Sequence, residues 1–270
     1  RMVRKMKKAG MQIVMEIPTF PYDQEYITPF MKLQLFIDKC FRKQFAKQLD
    51  KIVTFSNYTT IFGIPTIQIS NGVNFNEIPL KQQVNNTSNQ IHFIGVAEIH
   101  YWHGYDRLLK GLVDYYATKP QYKVYFHIVG EFSGQREQEE CIPVIKNNQL
   151  EPYVILHGQQ HGAALDTLFE KCDLGIGSLG RHRSGITTIK TLKNREYAAR
   201  GIPFIYSEID EDFEDMPYIL KIPANEKPVN IHQVVTFYNS LHVNPIEIRN
   251  SIKSLSWDLQ MKKILDNVFI

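Results

Sequence analysis

Short apolar runs alternate along this chain with longer stretches whose apolar positions recur every third or fourth residue. The runs have the character of buried strands, and the periodic stretches that of amphipathic helices. Over 11–72 the pattern predicts strand, helix, strand, helix, strand. The strands fall at 12–16, 51–56 and 66–69, and a loop with Pro18 and Pro21 follows the first. A long helix over 30–49 carries Leu33, Phe36, Ile37, Cys40, Phe41, Phe45 and Leu49 at helical spacing. The polar stretch 74–90, with Pro79 and a run of Gln, Asn, Thr and Ser, reads as a linker. A second run then predicts strands at 91–95, 123–129, 153–157, 174–176 and 202–207. Helices are expected between them at 104–116, 135–148, 163–171 and 191–200. Strands alternating with crossover helices make a parallel, doubly wound sheet, so the fold class is α/β. Beyond Ile209 the pattern weakens to a helix near 231–241 and two helices over 245–270 broken near 254–257. Trp257, Met261, Ile264, Leu265 and Val268 give the last helix an apolar face that reads as core packing.

Composition changes this picture little. The 270 residues suffice for two ordinary domains, and 43% hydrophobic with 22% charged residues is an ordinary globular balance. A formal net charge of +3 is too small to imply a nucleic-acid partner by itself. Basic residues gather at 1–8 and again over 32–51; a solvated face accounts for them, and a weak contact with an anionic membrane surface is the other reading. Cys40, Cys141 and Cys172 are sparse and far apart, which points to a reducing compartment rather than a disulfide framework. The sequons in Asn85-Asn86-Thr87-Ser88 are discounted on that ground. No apolar run reaches the ~20 residues of a membrane span, and the first residues carry no signal-peptide pattern.

The candidate chemistry centres on Lys190 to Ser207, KTLKNREYAARGIPFIYS. Gly201 and Pro203 stop the helix. Lys190, Lys193 and Glu196, three apart, are expected on one helical face. Just upstream, SLGRHRSG (Ser178 to Gly185) sets Arg181, His182 and Arg183 among small residues after an apolar strand. Such a loop beside a helix N-terminus can cradle phosphate, and a carboxylate one turn on can hold sugar hydroxyls. A nucleotide-diphosphate pocket and a plain αβ unit with a solvated basic loop both fit these residues. There is no GxGxxG and no Walker A motif, so dehydrogenase and NTPase readings lose their motif support. Asp210-Glu211-Asp212 spells DxD inside an acidic run and is expected to be a solvated face.

The set Lys193, Glu196, Tyr197, Ala198, Arg200, Gly201, Pro203 and Ile205 resembles the donor-site signature of retaining GT-B glycosyltransferases. More narrowly, it resembles the bacterial "glycosyltransferase group 1" family that builds capsule, O-antigen and lipopolysaccharide. Ile69-Ser70-Asn71-Gly72-Val73 is similar to that family's domain junction, Ile91 to Leu112 to its first donor-domain strand and helix, and Ile128-Val129-Gly130 to its next strand end. Val154 to Ile176 continues the likeness in order.

The resemblance implies two Rossmann-like domains with a cleft between them. It divides the chain into a partial acceptor-side domain over 1–73, a linker over 74–90, a donor domain over 91–255 and a returning helix over 256–270; part of the first domain would precede Arg1. It implies transfer of a sugar from a nucleoside-diphosphate donor to a glycan or lipid-linked acceptor, with retention and without a metal or other cofactor. The setting would be cytoplasmic, with a peripheral contact at the inner membrane and no nucleic acid. Lys193, Glu196 and Arg181 would carry catalysis, with Glu196 holding the ribose. Donor contacts would come from Gly95, His103, Arg107, Gly130, Glu131, Gly158, Gln159, Arg183, Ser184 and Gly185. Glu16, Tyr22 and Asp23 would face the acceptor. The sequence departs from the family at Thr188, where a first glutamate is expected, and at His103-Gly104, where a Lys-Gly pair and an upstream Arg are missing; a charged His103 or Arg107 would substitute. A sugar-nucleotide epimerase and a catalytically silent nucleotide-sugar-binding subunit are the alternatives.

Overall fold

The computed structural model describes residues 2–23, 26, 28–82 and 89–269. The sequons at 85–88, and part of the stretch read as a linker, lie outside them. The chain gathers into two compact α/β units: 1–72 with 188–190 and 254–270, and 73–187 with 191–253.

In the first unit α1 (Met2–Lys8) leads to β1 (Val14–Glu16), α2 (Pro29–Ala46), β2 (Lys51–Thr54), β3 (Thr60–Ile61) and β4 (Ile64–Gln68). The sheet order is β1-β2-β4-β3, with β1, β2 and β4 parallel. The helix expected between β2 and β4 is replaced by a hairpin. Phe62 (φ 52°) and Gly63 (φ 84°) turn β3 into antiparallel β4, the left-handed pair that a two-residue hairpin requires. Thr28 caps α2, accepting from the Met31 N–H at 3.3 Å, and Pro29 opens its first turn. Leu35 and Ala46 are buried on this helix, while Leu33, Phe36, Ile37, Phe41 and Phe45 of the expected apolar stripe are exposed. A late helix of the chain, whose label follows the elements of the second unit, covers this sheet.

In the second unit the order along the chain is β5 (Gln90–Val96), α3 (Tyr105–Ala117), β6 (Lys123–Val129), α4 (Gln135–Asn147), β7 (Val154–Leu156), α5 (Gly162–Lys171), β8 (Leu174–Ile176) and α6 (Leu192–Arg200). Then come β9 (Phe204–Tyr206), β10 (Ile219–Lys221), α7 (Ile231–Asn239) and α8 (Pro245–Ser251). All six strands are parallel, ordered β10-β9-β8-β5-β6-β7, so the weak stretch near Ile219 adds a sixth strand to the five expected. The order reverses between β5 and β8, and in open sheets of this kind ligands bind outside the carboxyl ends of the strands at that reversal. Phe93, Ile94, Phe126, Leu174, Ile176, Phe204 and Ile205 are almost wholly buried, as expected for strands covered on both faces.

The helix that returns to the first unit is α9 (Trp257–Val268). Its Ile264 and Val268 pack against Val53, Ile67 and Ile69. Gln260 accepts from the Ser70 N–H at 2.9 Å and donates to the Ser254 carbonyl at 2.9 Å.

Residues 74–82, inside the stretch expected to be a linker, are fastened to the second unit. The Lys81 N–H donates to the Arg200 carbonyl that ends α6 (2.8 Å), and its ammonium donates to the carbonyls of Glu170 (2.7 Å) and Cys172 (2.5 Å) at the end of α5. Arg249 on α8 ties the carbonyls of Ile78 and Ala199 together, each at 2.8 Å.

Candidate functional site

Two loops meet where the strand order reverses. The first leaves β5, makes a single 3-10 turn at Tyr101–His103 and enters α3 through Gly104 (φ 65°). A Cβ at Gly104 would stand 2.6 Å from the Gly180 nitrogen, so glycine is required by both dihedral and contact. The second leaves β8 and makes a 3-10 turn at Arg181–Ser184, closed by Gly185 (φ 70°). Leu179 and Gly180 donate backbone N–H groups to the carbonyls of His103 (2.9 Å) and Trp102 (3.2 Å), zipping the loops together.

His103 is buried, and its Nδ1 accepts from the His100 N–H at 2.9 Å, which leaves the ring proton on Nε2. Burial, with Lys193, His100 and Arg181 adding positive charge, holds its pKa well below the usual histidine value. The charged His103 expected as a substitute cation is therefore corrected to a neutral N–H donor.

Arg107 is corrected more sharply. Its guanidinium is 1% exposed and donates to the carbonyls of Lys227 (2.9 Å), Pro223 (3.0 Å) and Leu179 and to the Asn225 side chain (3.2 Å). It organises the unit's own loops and has no donor group turned outward. Arg183 meets Asp106 with both nitrogens (2.8 and 3.1 Å), meets Glu226 at 2.5 Å and donates to the Tyr101 carbonyl. Burial pushes the Asp106 carboxyl up, yet Arg183 and Lys110 hold it below its usual value, and Arg183 likewise holds Glu226 down to about 2. With two carboxylates on it, Arg183 is a structural clamp and not the free phosphate ligand expected.

Arg181 is 9% exposed, its guanidinium 5.3 Å over the Trp102 ring. The Ser184 hydroxyl donates to the Arg181 carbonyl (2.8 Å). The helix expected from residue 191 starts at Leu192, so Lys190 is off it and the shared face reduces to Lys193 and Glu196. Lys193 Nζ is out of contact with solvent and has no hydrogen-bond partner among the described residues; it stands 6.0 Å from the Tyr105 ring centre. Desolvation drives its pKa down, Glu208 opposes that and Arg181 adds to it.

Glu196, partly exposed, accepts at Oε1 from Arg200 Nε (3.0 Å) and Nη2 (2.9 Å). Arg200 also pairs with Asp166 at 2.8 Å and stacks 3.9 Å above Phe169, so Glu196 is held in one orientation.

The remaining glycines serve the backbone. A Cβ on Gly95 would meet the Tyr105 hydroxyl at 2.5 Å; this small residue admits the buried tyrosine, which corrects its assignment as a donor contact. Gly130 (φ 120°) donates to the Gly158 carbonyl at 2.8 Å, and a Cβ on it would lie 1.8 Å from the Ala97 oxygen. Glu131 and Gln159 are exposed beside them, at the carboxyl ends of β6 and β7.

The acidic run at 208–215 is a solvated face only in part: Glu211, Glu214 and Asp215 are exposed, but two of its acids are not. Glu208 is 2% and Asp210 0% exposed. Arg195 grips Asp210 at 2.7 and 3.1 Å and also pairs with Asp212, so the DxD carboxylates serve one guanidinium; Asn194 adds a 3.1 Å bond to Asp210. Among the described residues no cluster of three His, Cys, Asp or Glu is placed to hold a metal. Sequence reasoning missed Asn194, Arg195, Glu208 and the Asp106–Arg183–Glu226 clamp. It also missed the chain His92–His127–His157, whose ring nitrogens stand 2.9 Å apart at each step.

In the first unit a cavity of about 650 Å³ is lined by Glu16, Tyr22, Tyr26, Phe41, Arg42 and neighbouring residues. Tyr22 donates to Asp38 at 2.8 Å. Asp23 is held below the usual carboxylate range by hydrogen bonds from Arg42 (2.8 Å) and Lys39 (2.9 Å). That corrects Asp23 from an open acceptor-side carboxylate to an anchor for α2.

The fold is that of the GT-B glycosyltransferases. A glycosyltransferase from Rickettsia africae matches with a TM-score of 0.64 at 15% identity, over 99% of this chain and 78% of that one. Anabaena HepE, solved with UDP, matches at 0.67 and 17% identity over 98% and 74%. Sucrose-phosphate synthase of Thermosynechococcus elongatus matches at 0.66 and 13% identity over 98% and 70%. No family model matches the sequence, and no curated protein does.

Proposed function

We propose that this chain transfers a glycosyl group from a nucleoside-diphosphate sugar to a glycan or lipid-linked sugar acceptor. The observation that carries the reading is the Lys193 ammonium, desolvated and unpartnered, at the first turn of α6. A buried cation without a partner is costly, and a diphosphate supplies the missing charge and acceptors. Arg181 and the neutral His103 N–H flank it, and the N-terminus of α6 adds its dipole. Lys193 and Arg181 would stabilise negative charge on the departing nucleoside diphosphate, while Glu196, steadied by Arg200, would accept from the ribose hydroxyls. Solved proteins of this fold include HepE, described in complex with UDP-glucose.

In this reading no metal is used: the cations at the reversal point meet the diphosphate, and Arg195 occupies the DxD carboxylates. Retention, a role in bacterial surface polysaccharide and a cytoplasmic setting with peripheral membrane contact belong to the same proposal and rest on the sequence resemblance. No helix among the described residues is long and apolar enough to cross a membrane.

The test is thermal shift of the protein with UDP-, GDP-, ADP- and CMP-sugars, beside Glu196→Ala. A ligand at a hundred times its Kd adds about 2.7 kcal/mol of stability. A shift with one nucleotide class that Glu196→Ala weakens is expected; no shift with any, for a folded protein, overturns the reading. The clamping of Arg107 and Arg183 favours a second reading, a nucleotide-sugar binder without turnover. It predicts the same shift and no sugar transfer or nucleotide release when acceptors are added.

A further inference from the structure

Lys193 is not the only buried charge left incomplete here. Glu208, two residues beyond β9, is buried within electrostatic reach of Lys193, and Asn194, the next residue of α6, contacts its carboxylate. Its carboxylate takes a hydrogen bond from its own backbone N–H and a long 3.5 Å contact at Oε1 from Asn194, while its Oε2 has no hydrogen-bond partner among the described residues. The neighbouring acids differ: Asp210 is bonded by Arg195 and Asn194, and Asp212 by Arg195. Two opposite charges are therefore buried together, each with an open hydrogen-bonding position. A pair built for stability alone would close that gap.

We propose that Glu208 is a positioning residue for Lys193, holding its ammonium charged and aimed at the space a donor diphosphate would fill, so that donor binding draws a proton into the pair. The proposal rests on the nucleotide-diphosphate reading above and extends it to a residue that touches no substrate. The groups facing Lys193 are Glu208, Arg181, His103 and the Tyr105 ring. Those facing Glu208 are Lys193, Asn194, Asp210 and the ammonium of Lys221, which is bonded to its carbonyl. Burial lowers the Lys193 pKa and raises that of Glu208, and each charge opposes the other's shift. A bound diphosphate favours the protonated form of both groups, and the proton comes from the buffer.

The experiment is isothermal titration of the full chain with UDP-glucose and GDP-mannose, whose diphosphate diesters and bases keep a constant charge from pH 6 to about pH 8.5. Wild-type affinity is expected to fall as Lys193 deprotonates, at most tenfold per pH unit. In Glu208→Gln the lysine loses its carboxylate and the fall should begin at lower pH, with affinity at pH 6 retained. A carboxylate needed only for packing would shift affinity equally at every pH, or not at all, and either result overturns the proposal. Lys193→Met should remove the pH dependence in both backgrounds. If Glu208→Gln does not fold, wild-type titrations near pH 8.5 in two buffers of different ionisation enthalpy decide the matter. Proton uptake on binding is expected, and none refutes the idea. Absence of binding by wild type to either sugar nucleotide would instead count against the donor-site reading itself.

Discussion

Arg195 and Asp210 face each other at 2.7 and 3.1 Å with the guanidinium 1% exposed and the carboxylate not exposed at all. Removing one partner leaves the other charge buried. Arg195→Ala should destabilise the protein by about 3–5 kcal/mol in urea unfolding. Arg195→Met with Asp210→Leu should lose much less, because the fully buried carboxylate goes with the guanidinium and the Asp212 carboxylate that remains is 20% exposed.

Arg107→Ala strips cover from the Pro223, Lys227 and Leu179 carbonyls. The expected loss is about 2–4 kcal/mol of stability, since several buried acceptors go unmet together. Nucleotide affinity, measured well below the melting point, should change less than threefold (about 0.6 kcal/mol). A loss of a hundredfold or more would return Arg107 to the ligand.

Glu196→Gln keeps the shape and removes the charge that accepts from sugar hydroxyls. Affinity for the preferred nucleotide should fall roughly 10- to 100-fold, as for a charge-assisted hydrogen bond. The same nucleotide lacking its ribose 2′ and 3′ hydroxyls should bind wild type and variant alike.

The His127 ring is wedged between His92 and His157, and burial pushes its pKa down to about 4. The unfolded chain, with a histidine near 6.5, therefore binds more protons between those values, and stability must fall as pH drops from 6.5 towards 4. The effect is about 3 kcal/mol at most and is absent above pH 7. His127→Gln should lessen the pH dependence of the melting temperature in that window, leaving the part due to His92 and His157, which burial also pushes down.

Much of the architecture was legible because buried parallel strands announce themselves as apolar runs: Leu174 to Ile176 forms a strand over the expected residues, and Gly201 ends α6 with φ 76°. The hairpin at Phe62-Gly63 escaped because a phenylalanine is an unusual occupant of a left-handed turn. At the site, Lys193, Glu196 and Arg181 could be named from helical spacing and a small-residue loop. The state of each charge could not. Whether Arg183 is free or clamped depends on Asp106, distant in sequence, and no local pattern records that pairing. The acidic run misled for the same reason. Glu208 and Asp210 look like surface residues until Lys193 and Arg195, on the preceding helix, are set against them.

The fastening of residues 74–82 has a mechanical consequence. Lys81 and Arg249 tie this strap to the carbonyl ends of α5 and α6. A tug on the strap therefore loads the far end of the helix that carries Lys193 and Glu196, along an almost inextensible rod of hydrogen-bonded turns. Arg249→Ala or Lys81→Ala would cut this load path.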